Sequence, residues 1–403
     1  MKLKKNKIAE IIETESLSDL SFNDLEEFLY QDEHIGKYKP DGICQIDPRN
    51  GEKILFNTAR AKRPHDNKPQ VDTFIKEDKG SSRSCVICEG RTTGIIDIAE
   101  LSKGYTFINK NLFPMLYPFR KENGKININS ENWKNLPQGI PTYGFHLLQW
   151  TSNYHTADWQ NIPSKDRIIV MKRLGALEKF LLRKTGKRIP VDTSWDPKKH
   201  GKTFIPIIKN HGRLVGGSLE HGHQQISMTN IIPLDSKFNY EFEQSNGKPF
   251  SEYMLNKNPS NLVIKDYGKA VLIIPYFMKR PYDMMLILKD TSKKYIHQLE
   301  EEEIKAISDG WHDGICIMHT IMPNIDRPLA FNVVTHSGPG AGLYFEFKPY
   351  TQETGGFEHL GLYVCQSNPL KAHQNIIDVL KSSEYVTMEK KLESDTIYKE
   401  EEL

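Results

Sequence analysis

An order of predicted elements occurs twice along the 403-residue chain, and this repetition constrains the fold more than any other feature. Each copy has two strands, one long amphipathic helix and two further strands. The helices are predicted where apolar residues recur at helical spacing, from Ser164 to Arg183 in the first copy and from about Leu299 in the second. Two copies of one unit predict an α+β protein with two similar domains, although the copies share little literal sequence.

The strands are predicted from apolar runs that lie between glycine, proline and asparagine. They are expected at 104–118, 143–150 and 204–209 in the first copy, and at 270–276, 283–288, 329–334, 343–348 and 362–365 in the second. The turn signal Asp-Pro-Arg-Asn-Gly at 47–51 predicts a further hairpin before the first copy. The chain is therefore divided into a polar helical extension at 1–40, domains at 41–235 and 236–380, and a charged tail at 381–403.

The composition limits the classes of function. The net charge is +2 and 26% of the residues are charged, so charge favours neither a nucleic-acid partner nor a membrane surface. No run of about 18 apolar residues predicts a membrane span, and residues 1–15 lack the apolar core of a signal sequence. Five cysteines, an odd number in a long chain, do not form the pattern of a disulfide framework. The sequence therefore predicts a cytoplasmic protein with no nucleic-acid or membrane partner.

The stretch from 210 to 226 places His221 and His223 on either side of one glycine, with small residues before them and amides after them. In a strand, residues i and i+2 lie on one face, so both imidazoles and Gln225 would share a pocket. The glycines upstream let a ligand approach the backbone. Imidazole, amide and open backbone together favour phosphate chemistry, and a polar edge strand or a loop is the alternative.

Two other segments carry candidate ligand contacts. Arg60, Lys62 and Arg63 precede a proline, and three cations within four residues suit a polyphosphate, with a solvated basic loop as the alternative. Asn109 and Asn111 lie where a predicted strand leads into a loop, so their amides can hydrogen-bond a base or a ribose, or their own turn.

Cys85 and Cys88 form a Cys-x-x-Cys motif followed by a glycine. This spacing presents two thiolates to zinc, and a redox pair is the alternative. The sequence has no second Cys-x-x-Cys, so the other ligands must come from distant residues, with His155 and His221 as candidates. The three remaining cysteines are isolated and are interpreted as small apolar residues.

These motifs together resemble the galactose-1-phosphate uridylyltransferase family of the histidine-triad superfamily. The similarity runs from about residue 43 to 378 and rests on Arg60-Ala61-Lys62-Arg63-Pro64, Cys85-x-x-Cys88, Tyr105-x-Phe107-x-Asn109, Asn210-x-Gly212 and Ser218-x-x-His221-x-His223-x-Gln225. In the second half, the matching segments are Ile274-Pro275-Tyr276 and Arg280-Pro281-Tyr282. The resemblance implies two histidine-triad-like domains, each an antiparallel sheet with a packed helix, of which the first carries the metal and the nucleophile.

The resemblance also implies roles for the matching residues. His223 would be the nucleophile that takes up a nucleoside monophosphate, and Gln225 would hydrogen-bond the phosphoryl oxygens of that intermediate. One structural zinc ion would orient the strand that presents His223. Its four ligands would be Cys85, Cys88, His155 and His221.

The substrate contacts are implied in the same way. Asn210 and Ser218 would contact the phosphates. Arg60 and Arg63 would lie on the nucleotide side of the pocket, and Asn109 would contact the nucleoside.

The chain departs from the family pattern at the centre of the motif. The family typically has proline between the two histidines and glycine after the second, where this chain has Gly222 and Gln224. These changes are expected to loosen the strand or to alter contacts with the leaving group. Some members bind a second metal through a Glu and three His, but segment 343–349 lacks the His-x-His and His336 alone cannot hold a metal. No second metal is therefore expected.

The implied activity is transfer of a nucleoside monophosphate from a nucleotide sugar to a sugar 1-phosphate, with ping-pong kinetics and a covalent intermediate on His223. The segment Gly356-Phe357-Glu358 with Tyr363 is instead similar to phosphorylases that split a nucleotide sugar or a dinucleoside polyphosphate with phosphate. An inactive nucleotide-binding scaffold is the third possibility. The sequence does not determine the base, the sugar, the pathway or the oligomeric state, and the family's shared active site implies a homodimer.

Overall fold

The structure is a computed structural model, and it describes residues 1–62, 85–119, 121–122, 125–126, 137, 139–183, 192, 194, 203–382 and 385. The strands of these residues are β1 (Ile43–Ile46), β2 (Lys53–Leu55), β3 (Ile95–Glu100), β4 (Tyr105–Lys110), β5 (Lys121–Glu122), β6 (Lys125–Ile126), β7 (Ile140–Pro141), β8 (Gly144–Trp150), β9 (Ile207–His211), β10 (His223–Thr229), β11 (Val263–Asp266), β12 (Ala270–Ile273), β13 (Met284–Leu288), β14 (Phe331–His336) and β15 (Tyr344–Pro349). The α-helices are Lys5–Ile11, Phe22–Gln31, Glu33–Lys37, Ser164–Leu182, Leu234–Asn246, Phe250–Lys257, Glu301–Asn324, Gly356–His359 and Pro369–Leu380.

Ten strands form one antiparallel sheet in the order β11-β12-β13-β15-β14-β9-β10-β8-β4-β3. The order is symmetric about the β9–β14 pair, because each half of the sheet contains three strands that precede a long helix and two strands that follow it. The predicted α+β class and the repeated unit are confirmed. The predicted number of strands before each helix was wrong by one, since β3 and β11 each add a strand there. The two units also share one continuous sheet, because β9 of the first pairs directly with β14 of the second.

Two long helices cover one face of the sheet. The helix Ser164–Leu182 begins after Pro163, and the helix Glu301–Asn324 begins with a capping box between Glu300 and Glu303. Trp159 and Trp311 meet between the two units with ring centroids 4.9 Å apart, and Trp311 also contacts Phe345 and Phe347 of β15. The main apolar core therefore lies between these helices and the sheet. No helix among the described residues is long and apolar enough to cross a membrane.

Side chains on the opposite face form a cross-strand row that runs through both halves. Since strand neighbours in register lie on the same face, each residue of the row stands beside the next. The row contains Asn109, Leu148, Gln225, Ile208, Val334, Glu346, Met285 and Ile273. We name the side of the sheet that carries this row the site face.

Several local predictions need correction. Residues 362–365, predicted as a strand, are irregular, and the side chains of Leu362, Tyr363 and Val364 are exposed. The helices Leu234–Asn246, Phe250–Lys257 and Pro369–Leu380 were missed, because their short amphipathic stripes are interrupted by polar residues. The hairpin before the first copy is present as β1 and β2, whose register joins Ile46 to Lys53 around the 47–51 turn. Most of the predicted charged tail lies outside the described residues.

Candidate active site

A cavity of about 960 Å³ opens on the site face of the first half. Strands β8 and β10 form its floor, the segment 91–94 and the loop 111–113 form one side, and residues 31–34 at the end of the N-terminal extension form another. His223, Gln225 and Ser218 all line it. The structure thus brings together three of the residues that the sequence predicted for catalysis and phosphate contact.

His223 is the first residue of β10, and its imidazole is fixed by its own backbone. The ring Nδ1 lies 2.8 Å from the carbonyl oxygen of His221. A carbonyl can only accept, so Nδ1 carries the proton and Nε2 keeps its lone pair. The ring also packs against the indole of Trp150, its register partner across β8, with centroids 4.9 Å apart. His223 is therefore held in one tautomer and one orientation.

The protonation of His223 also suits a nucleophile. Burial lowers the pKa of the His223 imidazole to about 4, with a smaller contribution from the positive charge of Lys209. At neutral pH the ring is therefore uncharged. A neutral imidazole with a free Nε2 is the form that can attack an electrophile.

Gln225 lies two residues further along β10 and on the same face as His223. Its side-chain Oε1 lies 3.1 Å from Nε2 of His146, a buried residue of β8. Sequence reasoning missed His146, because one histidine within an apolar strand gives no signal of a partner. The contact appears only when β8 and β10 are paired.

A buried polar network supports the nucleophile strand from the helix face. Lys209 forms an ion pair with Asp158 at 2.6 Å, and its ammonium also donates to the carbonyl oxygen of His223 at 3.3 Å. Thr151 donates to Asp158 at 2.8 Å or to Gln224 at 3.0 Å. Burial acts against the charge of Asp158, but Lys209 outweighs it and holds the pKa of that carboxyl below its usual value. The strand end that presents His223 is therefore anchored on both sides.

This network explains the two departures from the family pattern. Gln224 is fully buried and faces Gln149 and Thr151, so it does not reach the cavity or a leaving group there. A side chain at Gly222 would place its Cβ 2.4 Å from Cγ of Asp158, so the glycine makes room for the Asp158–Lys209 pair. The expectation that these residues loosen the strand or contact the leaving group is thus replaced by a packing role.

A second cluster lies immediately behind His223. The Sγ atoms of Cys85 and Cys88 are each 3.7 Å from Nδ1 of His221, and Cys88 Sγ is 3.8 Å from Nδ1 of His155. All four ligand atoms lie within 4.8 Å of one another. In a tetrahedral zinc site, bond lengths near 2.3 Å for sulfur and 2.0 Å for nitrogen separate S and N ligands by about 3.6 Å. The observed spacing therefore fits a tetrahedral Cys₂His₂ metal site.

The electrostatics of this cluster also fit a cation. A hydrogen bond from Cys88, together with the two imidazoles, lowers the pKa of the Cys85 thiol to about 2. A thiolate is the form of cysteine that binds a metal. The other ring nitrogen of His221 lies 2.8 Å from the carbonyl oxygen of Ser152, a second contact that fixes the ring with Nδ1 toward the cluster. The two histidines of the motif thus belong to different sites that share one backbone segment.

The remaining predicted contacts are placed differently. Asn210 is a residue of β9, and its Oδ1 accepts a hydrogen bond from Asn332 of β14 at 2.7 Å. Extending the β9–β10 register by two residues sets it opposite His223. Asn109 is fully buried: its amide bonds the indole of Trp150 and the hydroxyl of Thr92, so it supports the cavity wall and does not line it. Its contact with a nucleoside stays a prediction.

The basic segment is only partly described. Arg60 donates to the carbonyl oxygen of Phe113, a residue of the cavity wall, at 3.1 Å. Arg63 lies outside the described residues. Arg91 lines the cavity and was missed, since an isolated arginine after a cysteine motif carries no sequence signal. It forms an exposed ion pair with Glu89 at 2.6 Å, so its guanidinium stands at the cavity edge.

On the second half of the site face, His336 lies 2.9 Å from Glu346, which also binds Lys348 at 2.7 Å. Burial acts against the charge of Glu346, but His336 and Lys348 outweigh it and hold the pKa of that carboxyl well below its usual range. The Glu346 carboxylate therefore bridges the imidazole of His336 and the ammonium of Lys348 at this position. The expected absence of a second metal stays a prediction.

Sequence comparison finds relatives that span most of the chain. The protein is 23% identical to an ADP-glucose phosphorylase of Arabidopsis thaliana over 352 residues, which cover 80% of this chain and 88% of the relative. It is 21% identical to a galactose-1-phosphate uridylyltransferase of Cryptococcus neoformans over 361 residues, which cover 79% and 84% of the two chains. No model of a known protein family matches the sequence.

Solved structures with the same fold agree with these relatives. A uridylyltransferase structure superposes with a TM-score of 0.61 at 16% identity, over 84% of this chain and 98% of that one. The ADP-glucose phosphorylase of Arabidopsis thaliana with bound ADP-glucose superposes with a TM-score of 0.56 at 18% identity, over 83% and 98%. The two-unit antiparallel architecture is therefore shared with both kinds of enzyme.

Proposed function

We propose that this protein, which belongs to the galactose-1-phosphate uridylyltransferase family of the histidine-triad superfamily, is a nucleotidyltransferase that carries a nucleoside monophosphate on His223. The observation that carries the proposal is the hydrogen bond from Nδ1 of His223 to the carbonyl oxygen of His221, which leaves Nε2 free beside a large cavity. Relatives at 21–23% identity that span most of the chain are consistent with this chemistry.

In the first half-reaction the Nε2 lone pair of His223 attacks the α-phosphorus of a nucleotide sugar. The Nε2–P bond forms while the bond from phosphorus to the bridging oxygen breaks, and the sugar 1-phosphate leaves with that electron pair. The ring then carries a positive charge, which the Nδ1–H bond to the His221 carbonyl stabilises. The leaving group is already an anion at neutral pH, so this step requires no general acid.

In the second half-reaction an acceptor oxygen attacks the same phosphorus. The Nε2–P bond breaks and its electron pair returns to the imidazole, which recovers its neutral form. The acceptor is a sugar 1-phosphate in the uridylyltransferase reaction. Gln225 and cavity backbone N–H groups would stabilise the charge on the phosphoryl oxygens in both steps. Asn210 and Ser218 would contact the phosphates, and Arg60 and Arg63 the nucleotide. The implied contact of Asn109 with the nucleoside would require its amide to leave Trp150 and Thr92.

Zinc fits the Cys₂His₂ cluster best among biological metals, because two thiolates and two imidazoles in a tetrahedron are its usual structural set. When bound it would contribute stability and would fix the segment 221–223. Cys85, Cys88, His155 and His221 would hold it. The chain's own contact from His221 to Ser152 already orients one of these ligands.

A homodimer is part of the proposal. The segment 357–364 of the second half exposes Phe357, Leu360, Leu362, Tyr363 and Val364, with Leu360 at 76% of its full accessibility. Contiguous exposed apolar side chains of this kind are typical of a protein interface. Leu362→Asp is expected to convert a dimer into a monomer in sedimentation analysis, while Leu214→Asp, at an exposed leucine of the first half, leaves the dimer intact. A monomeric wild type would refute this part.

A cytoplasmic location stays a prediction.

A phosphorylase is the second candidate, and one observation favours it: a relative that spans 80% of the chain at 23% identity is an ADP-glucose phosphorylase. In this variant inorganic phosphate attacks the His223 intermediate and releases a nucleoside diphosphate. The first half-reaction is the same, so the two candidates differ only in the acceptor.

The deciding experiment is a labelling panel. Wild-type protein is mixed with UDP- and ADP-sugars that carry ³²P at the α-phosphate, and protein-bound label is measured. Label that is stable in alkali, labile in acid and absent from His223→Asn supports the proposal, and the labelled base names the donor. Chasing the labelled protein with phosphate or with a sugar 1-phosphate then separates the two candidates. A protein that takes label from no nucleotide would sink both.

A further inference from the structure

We infer that His146 is a positioning residue for the transfer reaction: it fixes the side-chain amide of Gln225 so that the NH₂ group, and not the carbonyl oxygen, faces the reacting phosphate. The inference rests on the proposed function, because it concerns the charge that develops on a phosphoryl oxygen beside His223. His146 is 1% exposed and does not line the cavity, so it acts through Gln225 and does not touch a substrate.

The two side chains are neighbours because of strand register. In the β8–β10 pair, Gln225 stands opposite Leu148 and Ser227 stands opposite His146. His146 is thus the diagonal neighbour of Gln225 on the site face, a distance that long side chains span. Gln225 Oε1 lies 3.1 Å from His146 Nε2. No other hydrogen bond to the Gln225 side chain is found among the residues that the structure describes.

The backbone decides which atom of the His146 ring carries the proton. The N–H of Met115 points at Nδ1 of His146 at 3.0 Å, so Nδ1 must accept. A neutral imidazole that accepts at Nδ1 is protonated at Nε2, and Nε2 then donates to Oε1 of Gln225. The orientation of the Gln225 amide follows, since its oxygen is taken by His146 and its NH₂ group remains for the cavity.

Asn111 closes the other side of the ring. Its Oδ1 accepts the N–H of Phe113 at 2.9 Å, so its NH₂ group is the part that lies 3.2 and 3.4 Å from the two nitrogens of His146. An NH₂ group donates and cannot accept the Nε2 proton of His146. Of these two side chains, only Gln225 can accept that proton through its Oε1, and the loop 111–115 holds the ring that aligns it.

The alignment has a chemical consequence. The terminal torsion of glutamine is broad and nearly two-fold, so an unheld amide samples both orientations. In one of them the carbonyl oxygen would point at a phosphoryl oxygen and repel it. A donor that is already oriented needs no reorganisation in the transition state, which is the condition under which such donors accelerate reactions most.

The test is a double-mutant cycle on the rate of protein labelling, measured in single turnovers with the α-³²P donor that labels the wild type. His146→Leu is expected to slow labelling by about 10- to 100-fold, less than complete removal of an aligned donor. In a Gln225→Ala background the same substitution is expected to change the rate by less than about 3-fold, since non-additivity is what a residue acting through Gln225 produces. His146→Gln, which keeps an NH₂ donor, should recover part of the rate.

Three outcomes would overturn the inference. The first is an unchanged labelling rate in His146→Leu. The second is an equal loss of labelling rate on this substitution in the presence and in the absence of the Gln225 side chain. The third is a His146→Gln variant that has the wild-type melting temperature and labels as slowly as His146→Leu. A merely structural role for His146 would give the second or the third. If wild-type protein takes no label from any nucleotide, the proposed function fails and the inference falls with it. A labelled wild type with an additive cycle refutes the inference alone.

Discussion

Gln225 in the first half of the sheet and Glu346 in the second stand at matching positions of one cross-strand row, three strand spacings or about 14 Å apart. Two residues earlier on the same strands stand His223 and Tyr344. In the first half these positions face a cavity of about 960 Å³. In the second half they face packed side chains, since Tyr344 meets Phe250 and belongs to an apolar cluster with Met254.

The difference does not come from the sheet, which is the same in both halves. It comes from the segment that covers it. The helices Leu234–Asn246 and Phe250–Lys257 cover part of the site face of the second half, and the hydroxyl of Tyr344 donates to Asn239 there at 3.1 Å. They leave a smaller cavity of about 340 Å³, which Val334 and His336 line. In the first half the covering residues 31–34 stand at the rim and leave the floor open. The first half thus has the larger cavity at this position, and the second half packs apolar side chains there.

The largest expected effect tests what nucleotide labelling requires: a histidine at this position of the strand, or also the open cavity beside it. The double variant His223→Asn/Tyr344→His should lose protein-bound nucleotide label by more than about 1,000-fold, although it again contains one histidine at a matching position. The reason is that Tyr344 is only 4% exposed and packs against Phe250, so a histidine at this position would be shielded from a nucleotide. Label stoichiometry is the measurement. Tyr344→His alone should keep one label per chain, and two would show that the second half is also a site.

The next effect concerns the metal cluster, which only the first half has among the described residues. Cys88→Ser is expected to lower bound zinc from one per chain to near zero and to lower the free energy of unfolding by several kcal/mol, because binding energy of a structural metal is folding energy.

The measurements are metal content by mass spectrometry and denaturant unfolding. Cys365→Ser in the second half is the matched control and should change neither. Wild-type protein that is purified without zinc, and that gains no stability when zinc is added, would contradict the assignment.

A smaller effect tests the space beside the nucleophile strand. Gly222→Ala is expected to cost about 1–3 kcal/mol of unfolding free energy, since its Cβ would overlap Asp158 and press on the buried pair with Lys209. The matching position in the second half holds a leucine, Leu343, so the constraint is local to the first half. Gly356→Ala is the control, because a Cβ there meets nothing within 4 Å. Equal stability of the two variants would remove the packing explanation of Gly222.

The smallest expected effect comes from removing the negative charge of Glu346 in the second half. Glu346→Gln is expected to cost about 1–2 kcal/mol at pH 7, because it leaves the ammonium of Lys348 and the ring of His336 without their carboxylate. The labelling rate should stay unchanged, since the cavity lies in the other half.

The cost should also depend on pH. The pKa of Glu346 lies below its usual range in the folded protein, so its carboxylate stabilises the fold fully above the unfolded pKa, and this stability is lost as pH falls through the folded pKa. The stability difference between wild type and Glu346→Gln should therefore be constant above about pH 5.5 and shrink below about pH 4. A difference that grew toward low pH would show that the carboxylate is not held charged.

Much of this could be predicted from the sequence. The long helices, the strands around them and their repetition follow from apolar spacing that a local segment displays in full. The motif from 218 to 225 predicted different environments for its two histidines, and the structure directs His221 to the cysteines and His223 to the cavity. The roles of metal ligand and nucleophile stay predictions. Two kinds of prediction failed. Elements with a short or interrupted apolar pattern, such as β3, were missed. The exposed apolar run at 362–365 was predicted as a strand, because its residue types alone do not distinguish it from one.

The site illustrates the same limit at the level of single residues. Gln224 was expected to loosen the strand or to alter contacts with the leaving group, and in the structure its side chain faces Thr151. The amide of Asn109, which the resemblance assigns to the nucleoside, is bonded to Trp150 in the structure. His146 carried no motif, and it holds the amide beside the nucleophile. Which polar groups meet is a property of strand register, and these contacts join residues that are 41 to 79 positions apart.

For the pair of histidines, the sequence by itself determined which chemical groups are available. These are two thiols, two imidazoles that are two residues apart, and an amide, in a repeated α+β unit. The tertiary structure decided how that chemistry is divided. Backbone carbonyls fix the tautomers of His221 and His223, and burial keeps His223 neutral. The covering segments leave a large cavity beside His223 and bury the matching Tyr344 under apolar side chains. The physical reason is that hydrogen bonding, desolvation and packing depend on distances between residues far apart in the chain, which no local pattern contains.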